Sequence, residues 1–477
     1  MTTFAASFAS SAFEESRRRV LDLVRRHGWN ATSFQVLEPG LSYHFDDDAC
    51  VAYVDTGRAW VVAGAPIAAE GRMREVALRF EAEARSRRRR VRFFGVEERF
   101  FSRVSLDRVR IGEQPVWDPA EWERSLRASK SLREQLRRSR AKGVRVRTLV
   151  SGELDDPAGI RARIERLIER WSHSRPMAPM GFLVAVVPFT FSNERRYFVA
   201  ERDGAVVGFL AAVPIFARDG WLLEDLIRDP DAPNGTAELL VDAAMRALAE
   251  EGCRFATLGL APLSGAEGWM RAARRLSHGL YDFRGLRDFK AKLRPQRWEP
   301  IYLAWHKGDD ERLAIFDTLA AFAHEGLLRF GLGTLLRVPT VVIQALAVLL
   351  VPWTALLAGV DSERWFPAPW IHWSWVAFDV ALCGGLLALA SRWRPWLGEA
   401  LAAAVTLDAA LTWTQALTFN APRITSRGES AVVALAVAAP TVAAALLWRA
   451  VRHRSRGKSV SASTPQAGRR QGGEGRA

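Results

Sequence analysis

Four long apolar segments in the C-terminal part of the chain constrain its fold more than any other feature. Each is long enough to cross a bilayer, which needs about 20 apolar residues, and the first and last carry no charged residue. The middle two contain Asp379, Glu399 and Asp408, but tryptophans cluster at their ends as in an interfacial aromatic belt. We therefore predict an all-α transmembrane region of four helices, with a buried helical bundle as the alternative. The segments are Val338–Val360, Ile371–Ser391, Leu397–Phe419 and Ser430–Trp448.

The loops between these segments predict their orientation. An even number of crossings places both ends of the chain on one side. The loop Arg392–Trp396 and the tail Arg452–Lys458 are rich in Arg and Lys, which predicts that this side is cytoplasmic. The loop Asp361–Trp370 suits the outside, whereas the two arginines of Asn420–Glu429 fit less well. The chain start lacks the pattern of a secretory signal, so we expect a multi-pass protein of the cell (inner) membrane with its N-terminal domain and C-terminal tail in the cytoplasm.

The charge of the chain favours anionic partners. It has 67 Lys and Arg against 53 Asp and Glu, a net charge of +14, which suits RNA, DNA or an acidic lipid surface. Residues 451–477 are basic and rich in Gly and Ser, so we expect a disordered tail. The cysteines are widely separated, which indicates neither a disulfide framework nor a metal site; they are Cys50, Cys253 and Cys383.

The residues before the apolar segments alternate between strand-like and helix-like patterns, which predicts a mixed α/β (α+β) region. In its second half, a hairpin at Tyr197–Val213 is followed by a strand at Trp221–Ile227, a helix at Gly235–Glu250 and a strand at Phe255–Leu260. This order is that of a GNAT-type acyltransferase half-domain. Two such units in tandem would fill residues 30–305.

A basic amphipathic helix is predicted at Trp122–Gly143, between these two units. Residues 121–147 hold ten Lys and Arg against three carboxylates, so binding to phosphates of tRNA or of lipid headgroups is one interpretation. A merely solvated basic face is the other. The run Arg87–Arg90 forms a similar patch or balances a helix dipole. The candidate phosphate contacts are Arg127, Lys130, Arg137 and Arg138.

The common catalytic and nucleotide-binding motifs, such as a metal-ligand cluster, a Walker loop or GxSxG, do not occur in the sequence. A coenzyme A cradle needs a glycine-rich loop before its helix, and here that loop offers only Gly235, flanked by Asn234 and Thr236 as possible helix caps. The sequence therefore favours a different acyl donor, and we expect no cofactor and no metal.

Two long stretches resemble the catalytic domain of the phosphatidylglycerol lysyltransferase family. They are LEDLIRDPDAPNGTAELLVDAAMRALAEEGCRFATLGLAPLSG and LYDFRGLRDFKAKLRPQRWEPIYLAW. RIGEQPVWDP and SLREQLRRSRAKG resemble the inter-lobe region of that family. The resemblance covers residues 30–305. It implies a tandem GNAT-like fold that transfers an aminoacyl group from aminoacyl-tRNA, as co-substrate, to phosphatidylglycerol at the cytoplasmic membrane face.

The resemblance also implies roles for individual residues. Arg228 would contact a phosphate of the donor or of the lipid, Asp225 would bind the amino group or move a proton, and Lys290 would contact a phosphate or a carbonyl. These three are the candidate catalytic residues. The candidate substrate-binding residues are Glu224, Asn234, Gly235, Thr236, Tyr281, Arg284 and Lys292.

The resemblance leaves the transferred amino acid open. Family members usually place a large translocase of many helices before the catalytic domain, whereas this chain has four helices after it, so the resemblance does not imply lipid flipping. A GNAT-type acyltransferase with another donor and a lipid or peptide acceptor is an alternative, as is a non-catalytic binder of anionic lipid or RNA. Resistance to cationic peptides is a further hypothesis. The predicted domains are a first lobe (1–115), the basic helix (116–150), a catalytic lobe (151–310), an amphipathic connector (311–337), the membrane helices (338–450) and the tail (451–477).

Overall fold

The computed structural model describes residues 2–150, 152–175, 180–264, 283–323 and 339–459. They belong to two compact units, Met1–Gly331 and Leu332–Ala477. The first unit is built on a mixed β-sheet with helices, and the second is helical. The predicted class, an α/β region followed by an all-α region, is confirmed.

The first unit contains one continuous sheet. Its strands are β1 Ser42–Asp46, β2 Ala49–Asp55, β3 Ala59–Ala63, β4 Arg90–Val96, β5 Asp107–Trp117, β6 Arg145–Thr148, β7 Arg196–Arg202, β8 Ala205–Ile215, β9 Gly220–Arg228, β10 Phe255–Thr257, β11 Ala261–Pro262 and β12 Arg297–Trp305. Its helices are α1 Thr2–His27, α2 Met73–Ser86, α3 Glu98–Phe101, α4 Trp122–Ala128, α5 Lys130–Ala141, α6 Ile160–His173, α7 Thr236–Glu250, α8 Phe283–Lys292 and α9 Glu311–Phe322.

The order of the strands contains the same unit twice. The sheet runs β1-β2-β3-β4-β12-β5-β10-β9-β8-β7-β6, and β11 pairs with β5. β3 and β4 are parallel and connected through α2, while β9 and β10 are parallel and connected through α7. Antiparallel strands precede each parallel pair, which is the arrangement expected of tandem GNAT-like lobes. β12 pairs with both β4 and β5 and so closes the sheet between the two halves.

The second half of the sheet is covered on both faces. On one face, Leu239 and Leu240 of α7 pack in a cluster with Phe198 and Leu210. On the other, α6 packs its buried side against Tyr197 and Phe209. The predicted hairpin is confirmed as β7 and β8, and its turn residues Asp203 and Gly204 have φ of 50° and 76°, as a type I′ turn requires.

The prediction of a single helix at Trp122–Gly143 is wrong, because the helix is interrupted at Ser129. This residue is extended (φ −117°, ψ 93°), and its hydroxyl accepts a hydrogen bond from the Leu132 amide, which makes it the N-cap of α5. The apolar residues of both helices pack inward, since Trp122, Leu126 and Leu136 are all buried.

Two other basic or amphipathic segments are engaged in the fold. Arg87 pairs with Glu83, Arg89 with Asp55 and Arg90 with Asp317, so these arginines serve ion pairs within the unit. Of the connector predicted at 311–337, α9 covers Glu311–Phe322, and residues 324–338 lie outside the described residues.

The second unit contains the four predicted apolar helices. Its helices are α10 Pro339–Ala358, α11 Ser362–Trp365, α12 Pro369–Ser391, α13 Pro395–Gln415 and α14 Arg427–Ser459. α10, α12, α13 and α14 are long and apolar enough to cross a membrane. Leu349, Leu356 and Leu417 point outward and are 65%, 68% and 66% exposed. Such outward apolar side chains favour contact with lipid over burial in a soluble bundle.

Candidate active site

A β-bulge in β9 brings two adjacent carboxyl groups together. Ala211 of β8 lies opposite Asp225, and Ala212 lies opposite Leu223, so Glu224 is an extra residue in β9. In a regular strand adjacent side chains point to opposite faces, and a bulge re-aims one of them. Glu224 and Asp225 are therefore close enough to interact electrostatically.

Two residues from elsewhere in the chain complete this carboxyl cluster. Glu38 follows a short 3₁₀ turn near the N-terminus, is buried, and lies within hydrogen-bond reach of Glu224. Arg195 precedes β7; its Nη1 donates to Glu224 Oε2 at 2.6 Å and its Nε donates to the Thr190 carbonyl at 2.8 Å. The cluster, consisting of Glu38, Glu224, Asp225 and Arg195, thus places three carboxyl groups around one guanidinium.

The excess of acids over bases in the carboxyl cluster favours neutral carboxyl groups. Burial, followed by the charges of Glu224 and Asp225, raises the pKa of Glu38 to about 10. Burial and the neighbouring Glu224 also raise the pKa of Asp225 well above its ordinary value. Two neighbouring buried carboxyl groups repel each other when both are charged, so a proton on Glu38 stabilises the pair. The carboxyl cluster can hold and move protons, or receive a cation.

The Asp225 carboxyl group has no hydrogen-bond donor among the described residues. The residue is only 8% exposed. A buried carboxyl group without a hydrogen-bond partner is costly unless a ligand or proton serves it. A buried carboxyl group in this state can accept a hydrogen bond from a ligand or exchange a proton.

The sheet opens beside the carboxyl cluster. β10 pairs with β9 only through Gly220–Leu222, and among the described strands none pairs with Leu223–Arg228 on that side. Lys290 holds the chain that leaves β10. Its Nζ donates to the carbonyls of Leu258, Gly259 and Leu260 at 2.8, 2.9 and 2.8 Å, which explains why the strand predicted to reach Leu260 ends at Thr257.

The environment of Lys290 is that of a buried cation. Burial lowers its pKa to about 7. Three carbonyl acceptors require all three ammonium protons, so the observed contacts are those of the charged form. Because its donors are all used, Lys290 shapes the wall of the opening rather than presenting a free charge to a substrate.

The loop before α7 has a structural role at two of its three candidate residues. Gly235 has φ +99°, and a Cβ there would lie 2.8 Å from the Gln135 carbonyl oxygen of α5. The Thr236 hydroxyl is buried and donates to the Pro233 carbonyl. Asn234 differs, because its Oδ1 accepts a hydrogen bond from Arg228 Nη1 at 3.3 Å. Arg228 and Asn234 thus form a polar pair next to the carboxyl cluster along β9.

The remaining candidates have different surroundings. Lys292 pairs with Glu238 at 3.0 Å, and Arg284 is exposed. Tyr281 lies outside the described residues. On the basic surface, Arg137 and Arg138 both pair with Glu134.

Arg127 and Lys130 are exposed, and neither forms an ion pair with any residue in the described part of the chain. The candidate phosphate contacts therefore divide into two free cations and two that share a carboxylate.

Three residues of this region were not among the site residues predicted from the sequence. Glu38 carries a weak signal, since it is a carboxyl group in an apolar stretch with Val36 and Leu37. Arg195 carries none, because its partner is 29 residues away in the chain. Asp242 is a buried acid in α7 that accepts from Trp122 Nε1 at 2.9 Å and from Arg140 Nη2 at 2.7 Å, and so fixes α4 and α5 onto α7.

Comparison with solved structures supports this architecture. A C-terminal domain (DUF2156) from Agrobacterium fabrum, described as that of a lysylphosphatidylglycerol synthetase, is 25% identical, with 64% of this chain and 96% of that chain covered and a TM-score of 0.56. The structure of L-PGS from Bacillus licheniformis is 21% identical, with 64% and 95% covered and a TM-score of 0.54. The second likeness shows the fold alone.

Sequence comparison identifies the family. Phosphatidylglycerol lysyltransferase of Bacillus subtilis (strain 168) is 30% identical over 129 residues, which are 25% of this chain and 15% of that protein. The lysylphosphatidylglycerol biosynthesis bifunctional protein LysX of Nocardia farcinica (strain IFM 10152) is 28% identical over 144 residues, 30% of this chain and 12% of that protein. The chain thus matches only a small part of either relative. The family model "Phosphatidylglycerol lysyltransferase, C-terminal" matches residues 11–305, more than half of the chain, and the chain belongs to this family.

Proposed function

We propose that this protein is a membrane-anchored lipid aminoacyltransferase, which moves an aminoacyl group from aminoacyl-tRNA to phosphatidylglycerol on the cytoplasmic face of the cell membrane. The observation that carries the proposal is the buried carboxyl cluster at the opening of the sheet, where Asp225 has no hydrogen-bond partner in the described part of the chain. Family membership gives the reaction class, and the four apolar helices support a membrane location.

The reaction needs little covalent machinery, because the aminoacyl ester is already activated. The lipid hydroxyl attacks the ester carbonyl, a new C–O bond to the lipid forms, and the C–O bond to the tRNA ribose breaks. The proton lost by the lipid hydroxyl ends on the ribose oxygen. We assign its transfer to Asp225, because burial and the neighbouring Glu224 raise the pKa of this carboxyl group above its ordinary value, which makes its carboxylate a stronger base.

Neighbouring residues support this step in the proposal. Arg228, paired with Asn234, offers a guanidinium to a phosphate or to the developing oxyanion. Lys290 acts as a positioning residue, because it binds the carbonyls of residues 258–260 and so holds the chain after β10 away from β9. The packing of Gly235 against α5 leaves little room for a pyrophosphate at the start of α7, which supports a donor other than coenzyme A.

The basic surface is the proposed contact for tRNA. Arg127 and Lys130 offer exposed charges to phosphates, whereas Arg137 and Arg138 share Glu134 and contribute less. The loops between the membrane helices support an orientation with the catalytic unit and the C-terminal end in the cytoplasm.

Lipid mass spectrometry tests the reaction directly. Cells expressing the full chain should contain phosphatidylglycerol with an added amino-acid mass, which also identifies the amino acid. Asp225→Asn and Arg228→Ala should each reduce this species by about 100-fold or more. Asp203→Asn, which changes an exposed carboxylate in the β7–β8 turn, is the matched control and should leave it unchanged.

Two results would contradict the proposal. A well-expressed chain that yields no such lipid would remove phosphatidylglycerol as the acceptor. Purified protein whose transferase activity survives ribonuclease but needs an acyl-coenzyme A would replace the donor and favour another GNAT-type acyltransferase.

A further inference from the structure

The buried side of helix α9 carries two polar residues, Asp317 and Thr318, beside Ala314 and Ala321. Asp317 is 1% exposed and binds two arginines of β4. Arg90 Nη2 lies 2.8 Å from Asp317 Oδ1, and Arg92 Nε lies 3.1 Å from Asp317 Oδ2. Arg92 is fully buried and also bonds Asp309 at 2.6 Å. The inner side of α9 is thus fixed to the sheet by ion pairs.

The outer side of α9 is apolar. Leu313, Phe316 and Leu319 are 46%, 45% and 53% exposed and follow one another at three-residue spacing. They are three of the six large hydrophobic residues that are exposed among the described side chains of the first unit, and the other three are spread over the chain. An apolar ridge of this kind marks a surface that contacts something other than water.

The helix cannot turn this ridge inward. Rotation would break the bonds of Asp317 to Arg90 and Arg92, and an unpaired buried charge strongly destabilises a protein. The start of α9 is fixed as well, because the Asp310 carboxylate accepts from the amides of Arg312 and Leu313 at 2.7 and 3.1 Å. The exposure of the ridge is therefore built into the fold.

We propose that the ridge Leu313–Phe316–Leu319 lies in the headgroup region of the bilayer and docks the first unit on the lipid surface. Only 16 residues separate Phe322 from Pro339, the start of an apolar helix long enough to cross a membrane. A chain of that length spans at most about 60 Å, so the covalent connection limits how far α9 can lie from the start of that helix and leaves the bilayer within its reach. The segment before the ridge carries Lys307 and Arg312 but also Asp309, Asp310 and Glu311, so the apolar side chains, and not a positive charge, carry the proposed docking.

The opposite face of the sheet provides a matched control. Phe93 of β4 packs with α2, whereas its neighbours Arg92 and Phe94 contact α9 through Asp317 and Phe322. α2 and α9 therefore lie on opposite faces. Leu78 of α2 is 50% exposed, which matches Phe316 in chemistry and exposure.

Fluorescence quenching in vesicles tests the docking. Phe316→Cys, Leu319→Cys and Leu78→Cys are each made in the full chain with the native cysteines replaced by Ala, labelled with an environment-sensitive fluorophore, and reconstituted in phosphatidylglycerol-containing vesicles. Nitroxide placed near the glycerol end of the acyl chains should remove about half or more of the emission at positions 316 and 319. The label at position 78 should respond instead to a water-soluble nitroxide.

Each other outcome contradicts the docking. Labels at 316 and 319 that respond to the water-soluble nitroxide as position 78 does would place the ridge in water. Labels shielded from both quenchers would place it against protein. Circular dichroism and a single elution peak verify that the labelled chains are folded. The quenching does not involve catalysis, so it can fail while the proposed reaction stands, and the reverse.

Discussion

A buried carboxyl group is tolerated when it is neutral or paired, and Glu38 is held in the neutral form. Its raised pKa comes from burial and from Glu224 and Asp225, with Arg195 opposing. The acid pair Glu224-Asp225 stands out in the sequence, but its partners do not, since Glu38 and Arg195 reach the cluster only through the folding of distant segments.

Replacing Glu38 by Gln should make stability less sensitive to pH. The folded state favours the neutral carboxyl group of Glu38. The contribution of Glu38 to the free energy of unfolding is therefore complete below the ordinary pKa of 4.5 and is lost as the pH rises towards 10. The melting temperature of the full chain in detergent should fall from about pH 6 to about pH 9, and Glu38→Gln should flatten that decline. Glu15→Gln, on the exposed side of α1, is the control. Parallel curves for wild type and Glu38→Gln would show that Glu38 is ionised in the folded protein.

Removing the ammonium group of Lys290 should release residues 258–260, whose carbonyls it binds. Lys290→Met keeps the aliphatic stem and leaves the three carbonyls of residues 258–260 without a donor. We expect a loss of about 3 kcal/mol, seen as a melting temperature lower by about 4 °C for a unit of this size. Lys307→Met, on the exposed surface, should melt like the wild type. An unchanged melting temperature in Lys290→Met would mean that the clamp contributes nothing to stability.

At the scale of elements, two irregularities create the candidate site. The bulge in β9 places Glu224 and Asp225 together, and the early end of β10 opens the sheet beside them. Helix and strand types were predictable from their apolar periodicity. The bulge, the opening and the break at Ser129 were not, because each depends on a partner strand or helix.

The two free cations of α4 and α5 give a test of the basic surface. Replacing Arg127 and Lys130 by Glu should weaken binding of deacylated tRNA to the purified full chain. The slope of log affinity against log salt should become shallower by about 2, one for each lost phosphate contact. Arg137→Glu with Arg138→Glu changes the net charge by the same amount, but at residues that share Glu134, and should change the slope less. Equal slopes for the Glu variant and the wild type would make this surface a solvated face.

At the scale of the whole molecule, the chain combines a unit of the lysyltransferase family with four apolar helices. The structure separates its basic residues into two groups. Some, such as Arg90 and Arg92, form ion pairs within the first unit, and others, such as Arg127, remain exposed. Net charge alone cannot make this division, because it depends on which acids lie opposite.

The proposed orientation predicts which loops face the outside. In intact cells expressing a chain without native cysteines, Glu363→Cys should react with a membrane-impermeant maleimide. Ser391→Cys, at the start of the Arg-rich loop, should react only after permeabilisation. The opposite pattern would place the catalytic unit outside the cytoplasm and away from tRNA.

The sequence by itself determined the properties that depend on neighbours along the chain. These are the α/β class, the duplicated unit, the apolar helices and the position of the acidic strand end, because periodicity and apolar length act locally. Only the tertiary structure decided what depends on distant partners. It brought Glu38 and Arg195 to β9 and engaged all three ammonium protons of Lys290 with backbone carbonyls. It also buried Asp317 of α9 against two arginines of β4. Burial and pairing set the chemistry of a charged group, and both arise only when remote segments pack together.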